Sequence, residues 1–225
     1  MLEIINEFVG RYGTMLLQGI VDTMKMTLFS TVFAYVIGLP LGVILIITKE
    51  HGICECKWLC SVIGWIVNVG RSLPFIILMV LLMPVTKAVM GTKLGVQGAI
   101  FPLVIAAAPF VARMTSLAEL DSGIIEAAHA MGASNWQIIR KFYLPESLPS
   151  LVRGGSISLI TILAYTAIAG AVGAGGLGDI AIRYGYNRYE FDVLMVTVVL
   201  LIILVEIFQC IFNIIAKRID KRIRK

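Results

Sequence analysis

Long uncharged apolar runs constrain this chain more than any other feature of its sequence. Met26 to Thr48 carries no charged residue, and further apolar runs follow along the chain. A helix needs about 20 apolar residues to cross a bilayer core. Charged residues make up 15% of the sequence, whereas a soluble domain carries roughly 25%. The sequence therefore predicts an all-α integral membrane protein with no room for a separate soluble domain.

Five of these runs are long enough to be membrane spans. The predicted spans are residues 14–48, 58–86, 94–112, 154–178 and 193–216 of one transmembrane domain over residues 1–225. Pro40 is expected to kink the first span. The second is interrupted at Arg71–Pro74, where a proline removes a backbone hydrogen bond and a charge inside a span is costly. Such a break is tolerated where it faces protein or a water-filled cavity.

Lysine and arginine predict the orientation of the chain. With the N-terminus outside, the inner segments hold twelve of them: Lys49, Lys57, Arg113, Arg140, Lys141, Arg153, Lys217, Arg218, Lys221, Arg222, Arg224 and Lys225. The outer segments hold six: Arg11, Lys25, Lys87, Lys93, Arg183 and Arg188. The positive-inside rule then predicts an outside N-terminus and a cytoplasmic C-terminus. The net charge of +5 is thereby explained by the membrane, and no nucleic-acid partner is expected. The N-terminus shows no signal-peptide pattern, so this segment is expected to stay in the mature protein.

A polar segment of about residues 119–150 separates the third and fourth spans. Asp121 or Ser122 can cap a first short helix, and Gly132 suits the left-handed position that ends it. Ser134 and Gln137 have the spacing of a capping box, which begins a second helix. That helix is expected to run to about Tyr143 and to stop before Pro145. The product is a cytoplasmic pair of short helices that presents the small residues Ala127 and Ala128 beside Glu126.

The residues alone leave two interpretations of this segment open. It is either a docking element for a soluble partner or an amphipathic hairpin on the membrane surface without a partner. The pattern Glu126-Ala127-Ala128-x3-Gly132-x9-Phe142-x-Leu144-Pro145 resembles the cytoplasmic coupling motif of ABC importer permeases, with Phe142 where isoleucine is usual. The resemblance implies that these residues seat in a groove of an ATPase subunit and transmit its ATP-driven closure.

Three further segments are similar to the permeases of methionine importers, namely Arg71–Phe75, Ala107–Arg113 and Gly170–Gly178. The similarity runs from about Thr14 to Lys217. It implies an ABC importer type I permease fold in the bacterial cytoplasmic membrane, and translocation of methionine as the L or D isomer or both. The implied partners are a second copy of the chain, two ATPase subunits and an extracytoplasmic methionine-binding protein. Permeation of another small solute stays open, as does a membrane scaffold without transport.

Helix breaks and polar residues within apolar runs mark a candidate translocation path. In the second span these are Asn68, Arg71, Pro74 and Phe75, and in the fourth they are Tyr165, Thr166 and Ile168.

The fourth span ends in a glycine-rich segment that matches G-x-G-x-x-G at Gly173, Gly175, Gly176 and Gly178. A dinucleotide site would need a preceding strand in a parallel sheet, whereas these glycines end an apolar run. They are expected to form an irregular, close-packed turn at the extracytoplasmic gate. No P-loop pattern occurs, so no cofactor is expected in this chain, and ATP with Mg²⁺ is expected on the ATPase partner. No catalytic constellation is found, and the chain is not expected to be an enzyme.

A few remaining polar and sulfur residues carry weaker signals. His51, Cys54, Cys56 and Cys60 lie close in sequence, but C-x-C-x3-C is not a structural-zinc spacing, so reduced thiols and no metal are expected. Cys210 is expected to fill apolar space and His129 to lie on the surface. Glu206 lies within a span, where packing against another subunit or a hydroxyl group is favoured over a transport role.

Overall fold

The computed structural model describes residues 2–50, 52–116 and 122–219, and within these residues the chain is helical with no β-strand. The α-helices in chain order are α1 (Leu2–Thr48), α2 (Lys57–Ser72), α3 (Phe75–Met90), α4 (Gly95–Ser116), α5 (Ser122–Ala130), α6 (Asn135–Ile138), α7 (Leu144–Gly170), α8 (Gly176–Ile180) and α9 (Phe191–Ile219). Two π-helical turns are interposed, Ile139–Tyr143 before α7 and Ala181–Tyr186 after α8. The all-α prediction is confirmed.

Four of these helices, α1, α4, α7 and α9, are long and apolar enough to cross a membrane. Helices α2 and α3 meet the same criterion only together, and they are bent by 109° at the break between them. The break falls at Leu73 and Pro74, inside the interrupted segment that the sequence singles out. By length and composition, the described residues therefore hold up to five candidate spans when the bent pair counts as one, which is the number that the sequence predicts.

Helix α1 extends farther toward the N-terminus than its apolar run. It begins at Leu2 and is 47 residues long, whereas the sequence places the start of the span at Thr14. At 1.5 Å per residue such a helix measures about 70 Å, more than twice the ~30 Å of a hydrocarbon core. Hydropathy indicates only the segment that suits the hydrocarbon core, and no proline interrupts the helix before it.

Helix α7 also begins earlier than the sequence predicts. Pro145 does not end the preceding helix but stands second in α7, which continues to Gly170. The π-helical turn explains this, because the Leu144 N–H is bonded to the Ile139 carbonyl five residues back. The wider π-helical turn displaces the carbonyl groups that the ring of Pro145 would otherwise clash with. A proline also lacks a backbone N–H, and the first positions of a helix tolerate this because their N–H groups have no partner within the helix. The predicted loop of residues 119–150 therefore ends inside a helix.

The chain divides into two compact units. The first comprises Met1–Val32, Leu73–Ala106 and Leu159–Phe208, and the second comprises Phe33–Ser72, Ala107–Ser158 and Gln209–Lys225. In the first unit the buried side chains include Met26, Met79 and Leu177. In the second, Leu45, Val67 and Ala112 form an apolar cluster against which other side chains pack, namely Leu41, Cys60 and Ile63.

Candidate coupling loop and translocation elements

The first short helix of the polar segment ends at a glycine in the left-handed conformation. Gly132 has φ +77°, and the Ala133 N–H bonds to the Ala128 carbonyl at 3.0 Å. This six-to-one bond is that of a Schellman motif, so the prediction for Gly132 is confirmed. Glu126 and Ala127 are exposed, whereas Ala128 is buried. Ala128 is thus not presented to a partner as predicted, because its face of α5 packs inward. Asp121, the alternative cap of α5, lies outside the described residues.

The second short helix begins with the predicted capping box. The Gln137 N–H donates to Ser134 Oγ at 3.4 Å, and the Ser134 N–H donates to Gln137 Oε1 at 2.9 Å. Asn135 Nδ2 lies 2.9 Å from the sulfur of Cys54, so the start of α6 contacts the segment between α1 and α2. Ile138 is fully buried. Local hydrogen bonds and one apolar anchor together set the position of α6.

The last motif residues lie in and just after the π-helical turn. Phe142 and Leu144 are half-buried and Pro145 is exposed. Tyr143, the variable position of the motif, is only 2% exposed, and its hydroxyl donates to the Thr115 carbonyl of α4 at 3.0 Å. The sequence analysis did not predict that Tyr143 is buried, because an aromatic residue between two apolar ones shows no periodicity that would assign it to the interior.

Large apolar side chains are exposed on the same segment. Met131 and Trp136 are 72% and 67% exposed, in a stretch that also exposes Glu126 and Ala127. Exposed apolar side chains among polar ones are typical of protein contact surfaces. The two-helix segment Ser122–Tyr143, here called the coupling loop, can therefore present a partly apolar surface while its buried residues fix it to the chain.

Two of the predicted path residues contact each other directly. The rings of Phe75 and Tyr165 stack with centroids 4.5 Å apart and an interplanar angle of 6°. Phe75 is the first residue of α3, directly after the exposed Pro74, so the helix break positions the stack. Thr166 is buried, with its hydroxyl on the Leu163 carbonyl at 2.6 Å.

The other predicted path residues are not brought into that contact. Ile168 on α7 is 39% exposed. Asn68 and Arg71 lie in the last turns of α2 with exposed side chains. Ser72 Oγ donates to the Asn68 carbonyl at 2.8 Å. Asn68 and Arg71 therefore present polar groups beside the break between α2 and α3.

The glycine-rich segment forms a tight hairpin after α7. Gly173, Gly175 and Gly176 all have positive φ. A Cβ on Gly178 would overlap the Ala167 backbone. The predicted irregular, close-packed turn is confirmed, and its place at the extracytoplasmic gate stays a prediction.

A buried threonine of α1 holds the start of α8. The Leu177 N–H donates to Thr23 Oγ1 at 2.9 Å. Gly19, one turn earlier on α1, lies so close that a Cβ there would meet the Ile180 and Leu177 side chains. The sequence analysis did not single out Thr23, because the contact joins residues 154 positions apart.

The remaining residues from the sequence analysis are the possible metal ligands, two residues of α9 and His129. Within the described residues no group of three or more His, Cys, Asp or Glu side chains could hold a metal ion; His51 lies outside them, so the absence of a metal stays a prediction. Within the single chain Cys210 and Glu206 are both exposed on α9, so the apolar surroundings of Cys210 and the packing of Glu206 against another subunit stay predictions. The most hydrophobic window of α9 is only 17% buried within the chain, which is why neither side chain is enclosed. The side chain of His129 is not described.

Comparison with known proteins finds a matching family and similar proteins that align over most of this chain. Residues 38–225 match the family described as binding-protein-dependent transport system inner membrane component. The probable D-methionine transport system permease protein of Vibrio cholerae is 47% identical over 220 residues, which are 97% of this chain and 98% of that protein. The D-methionine transport system permease protein of Escherichia coli is 47% identical over 158 residues, 69% of this chain and 73% of that protein.

Solved structures of ABC transporters share the fold of this chain. An inward-facing structure of the MetNI methionine ABC transporter superposes with a TM-score of 0.92 at 45% identity, over 94% of this chain and 99% of that one. An amino acid ABC transporter superposes with a TM-score of 0.77 at 17% identity, over 93% of this chain and 96% of that one. The helices described above therefore have the arrangement of an ABC importer type I permease.

Proposed function

The chain belongs to the family of binding-protein-dependent transport system inner membrane components, and from this membership we propose that it is the methionine-translocating permease subunit of an ATP-driven importer. Relatives that align over nearly its whole length are named as permeases of D-methionine transport systems. The observation that carries the proposal is the coupling loop, a capped two-helix element between α4 and α7 with exposed motif residues and a buried anchor.

The work of the importer is divided between this chain and its partners. Two ATPase subunits bind ATP and Mg²⁺ and hydrolyse the nucleotide. Their closure is transmitted to the membrane helices through the coupling motif, from Glu126 to Pro145. Because catalysis resides in the partner, this chain contributes a path and a conformational change, and no covalent chemistry.

The assembly contains two copies of this chain. Each supplies half of the translocation path, and the spans rock between inward-open and outward-open states. An extracytoplasmic binding protein delivers methionine from the side of the N-terminus, and the coupling loop and C-terminus face the cytoplasm. The exposed apolar surface of α9 and its neighbours is available to lipid and to the second copy.

The substrate path runs beside the break between α2 and α3. Phe75 and Tyr165 contribute a stacked aromatic surface, which suits a thioether because sulfur makes favourable contacts with aromatic rings. Asn68 and Arg71 contribute exposed polar groups near the same break in the sequence. The glycine hairpin of Gly173 to Gly178 is the extracytoplasmic gate.

Uptake of labelled methionine into proteoliposomes tests the proposal. The vesicles hold this chain with its co-purified ATPase and its binding protein, and parallel vesicles receive a non-hydrolysable ATP analogue. Uptake that requires hydrolysis and is competed by methionine, but not by other amino acids, is the expected result. Separate competition by the L and D isomers defines the stereochemistry.

Two results would contradict it in different ways. Co-purification of the ATPase with uptake of another solute would retain the importer and replace the substrate. Failure to bind any ATPase, with no uptake, would favour a membrane scaffold.

A further inference from the structure

Tyr143 occupies the variable position of the coupling motif, between Phe142 and Leu144, yet it is the most buried of the three. Its side chain is 2% exposed, and its hydroxyl donates to the Thr115 carbonyl at 3.0 Å. The neighbouring Phe142 and Leu144 are half-buried. The residue that anchors this end of the loop is therefore not one that defines the motif.

The acceptor of this bond lies on α4. Thr115 is the last residue but one of α4 within the described part of the chain. The Thr115 hydroxyl is directed elsewhere, onto the Val111 carbonyl at 2.9 Å. Tyr143 thus joins the coupling loop to α4 across 28 positions of sequence.

Helix α4 is in turn packed tightly against α1 at the same level. A Cβ on Gly42 would collide with the Thr115 side chain and with the Ala112 carbonyl at 2.6 Å. One turn earlier, a Cβ on Gly38 would meet the Ala108 carbonyl at 2.6 Å and Val111 Cβ at 2.7 Å. The two helices approach each other on either side of Pro40 of α1. Because Gly38 and Gly42 have no side chains that could adjust, a displacement of α4 is opposed directly by the α1 backbone.

We propose that Tyr143 is the positioning residue that transmits movement of the coupling loop to the membrane helices, by fixing the loop to α4 at Thr115 and thereby to α1 at Gly38 and Gly42. The proposal rests on the function proposed above and adds the contact through which coupling occurs. Packed contacts carry such coupling because they do not deform continuously. The ATPase contacts the exposed face of the loop, and Tyr143 acts from the buried one.

The test separates coupling from assembly with the variant Tyr143→Phe, which keeps the ring and removes the hydroxyl. The complete complex in proteoliposomes is assayed for ATPase co-purification, melting temperature, ATP hydrolysis and methionine uptake. Loss of one buried hydrogen bond is expected to lower uptake per ATP hydrolysed about fivefold, with ATPase association and melting temperature close to those of the unsubstituted complex. Tyr186→Phe, at a 69% exposed tyrosine outside the loop, is the matched control and should leave the ratio unchanged.

Two outcomes would overturn the proposal. One is an unchanged ratio of uptake to hydrolysis in Tyr143→Phe. The other is parallel loss of ATPase association and melting temperature with a normal ratio in the remaining complex, which would make Tyr143 a purely structural residue. Neither resembles failure of the proposed function, in which the unsubstituted complex itself shows no methionine uptake. Tyr143→Leu, which removes the hydroxyl and the aromatic ring together, should lower the ratio of uptake to hydrolysis at least as far as Tyr143→Phe.

Discussion

At the scale of single residues, a substitution of Gly132 tests how far the coupling loop depends on its left-handed backbone conformation. Its φ is +77°, and a Cβ there would meet nothing within 4 Å, so a side chain is opposed only by the left-handed backbone. That conformation costs a non-glycine residue roughly 1–2 kcal/mol, and more for a β-branched one. Gly132→Val should reduce ATPase co-purification or coupled uptake, whereas Gly132→Asn should stay near the original because asparagine is tolerated there. Normal pull-down together with normal uptake in the valine variant would contradict this account.

Tyr165 allows the aromatic part of the path to be tested in the same way. Its ring stacks on Phe75 with centroids 4.5 Å apart, and an aromatic pair contributes about 0.5–1.5 kcal/mol beyond its buried area. Tyr165→Phe keeps the stack and should preserve uptake. Tyr165→Ala should raise the KM for methionine or lower the rate of uptake, in vesicles with matched amounts of complex. Unchanged kinetics in both Tyr165→Ala and Thr166→Ala would remove α7 from the path.

At the scale of elements, the hairpin of α7 and α8 depends on glycines that let backbones touch. A Cβ on Gly178 would overlap the backbone of Ala167, and one on Gly170 would overlap that of Gly178. Since backbone cannot move aside as a flexible side chain does, Gly178→Ala should lower the melting temperature of the purified complex by several degrees. Gly10→Ala is the control, because that helical position faces open space and alanine favours helix by up to about 1 kcal/mol. Equal melting temperatures for both variants would show that the hairpin relaxes.

The elements also show what sequence can and cannot predict here. The capping box of Ser134 and the left-handed Gly132 were predictable, because each is determined by atoms within a few residues. Apolar runs predicted the spans, but not that α1 begins at Leu2, since hydropathy does not register helix outside the bilayer. Pro145 misled because the π-helical turn before it changes the hydrogen-bond register. The burial of Tyr143 and its bond to Thr115 could not be predicted, because the partner lies on another helix.

At the scale of the whole molecule, the orientation of the chain in the membrane decides whether the coupling loop can meet an ATPase. ATP is available in the cytoplasm, so the coupling loop can meet an ATPase only if it lies on that side. Twelve Lys and Arg residues on the predicted inner segments against six on the outer ones support this orientation. The segment between α1 and α2 belongs to the same side, because Asn135 of the coupling loop contacts Cys54.

The cysteines of that segment make the orientation measurable. Cys54 and Cys56 are free and exposed, so a membrane-impermeant maleimide should label them in inverted vesicles and leave them unmodified in right-side-out cells. The double variant Cys54→Ser with Cys56→Ser should abolish this labelling, since Cys60 is only partly exposed and Cys210 lies within the α9 span. In that background, Tyr189→Cys places a thiol at a position that is 90% exposed and predicted to be outside, and it should be labelled from intact cells. The opposite pattern, with Cys54 and Cys56 reached from outside, would place the coupling loop away from ATP and refute the N-out orientation.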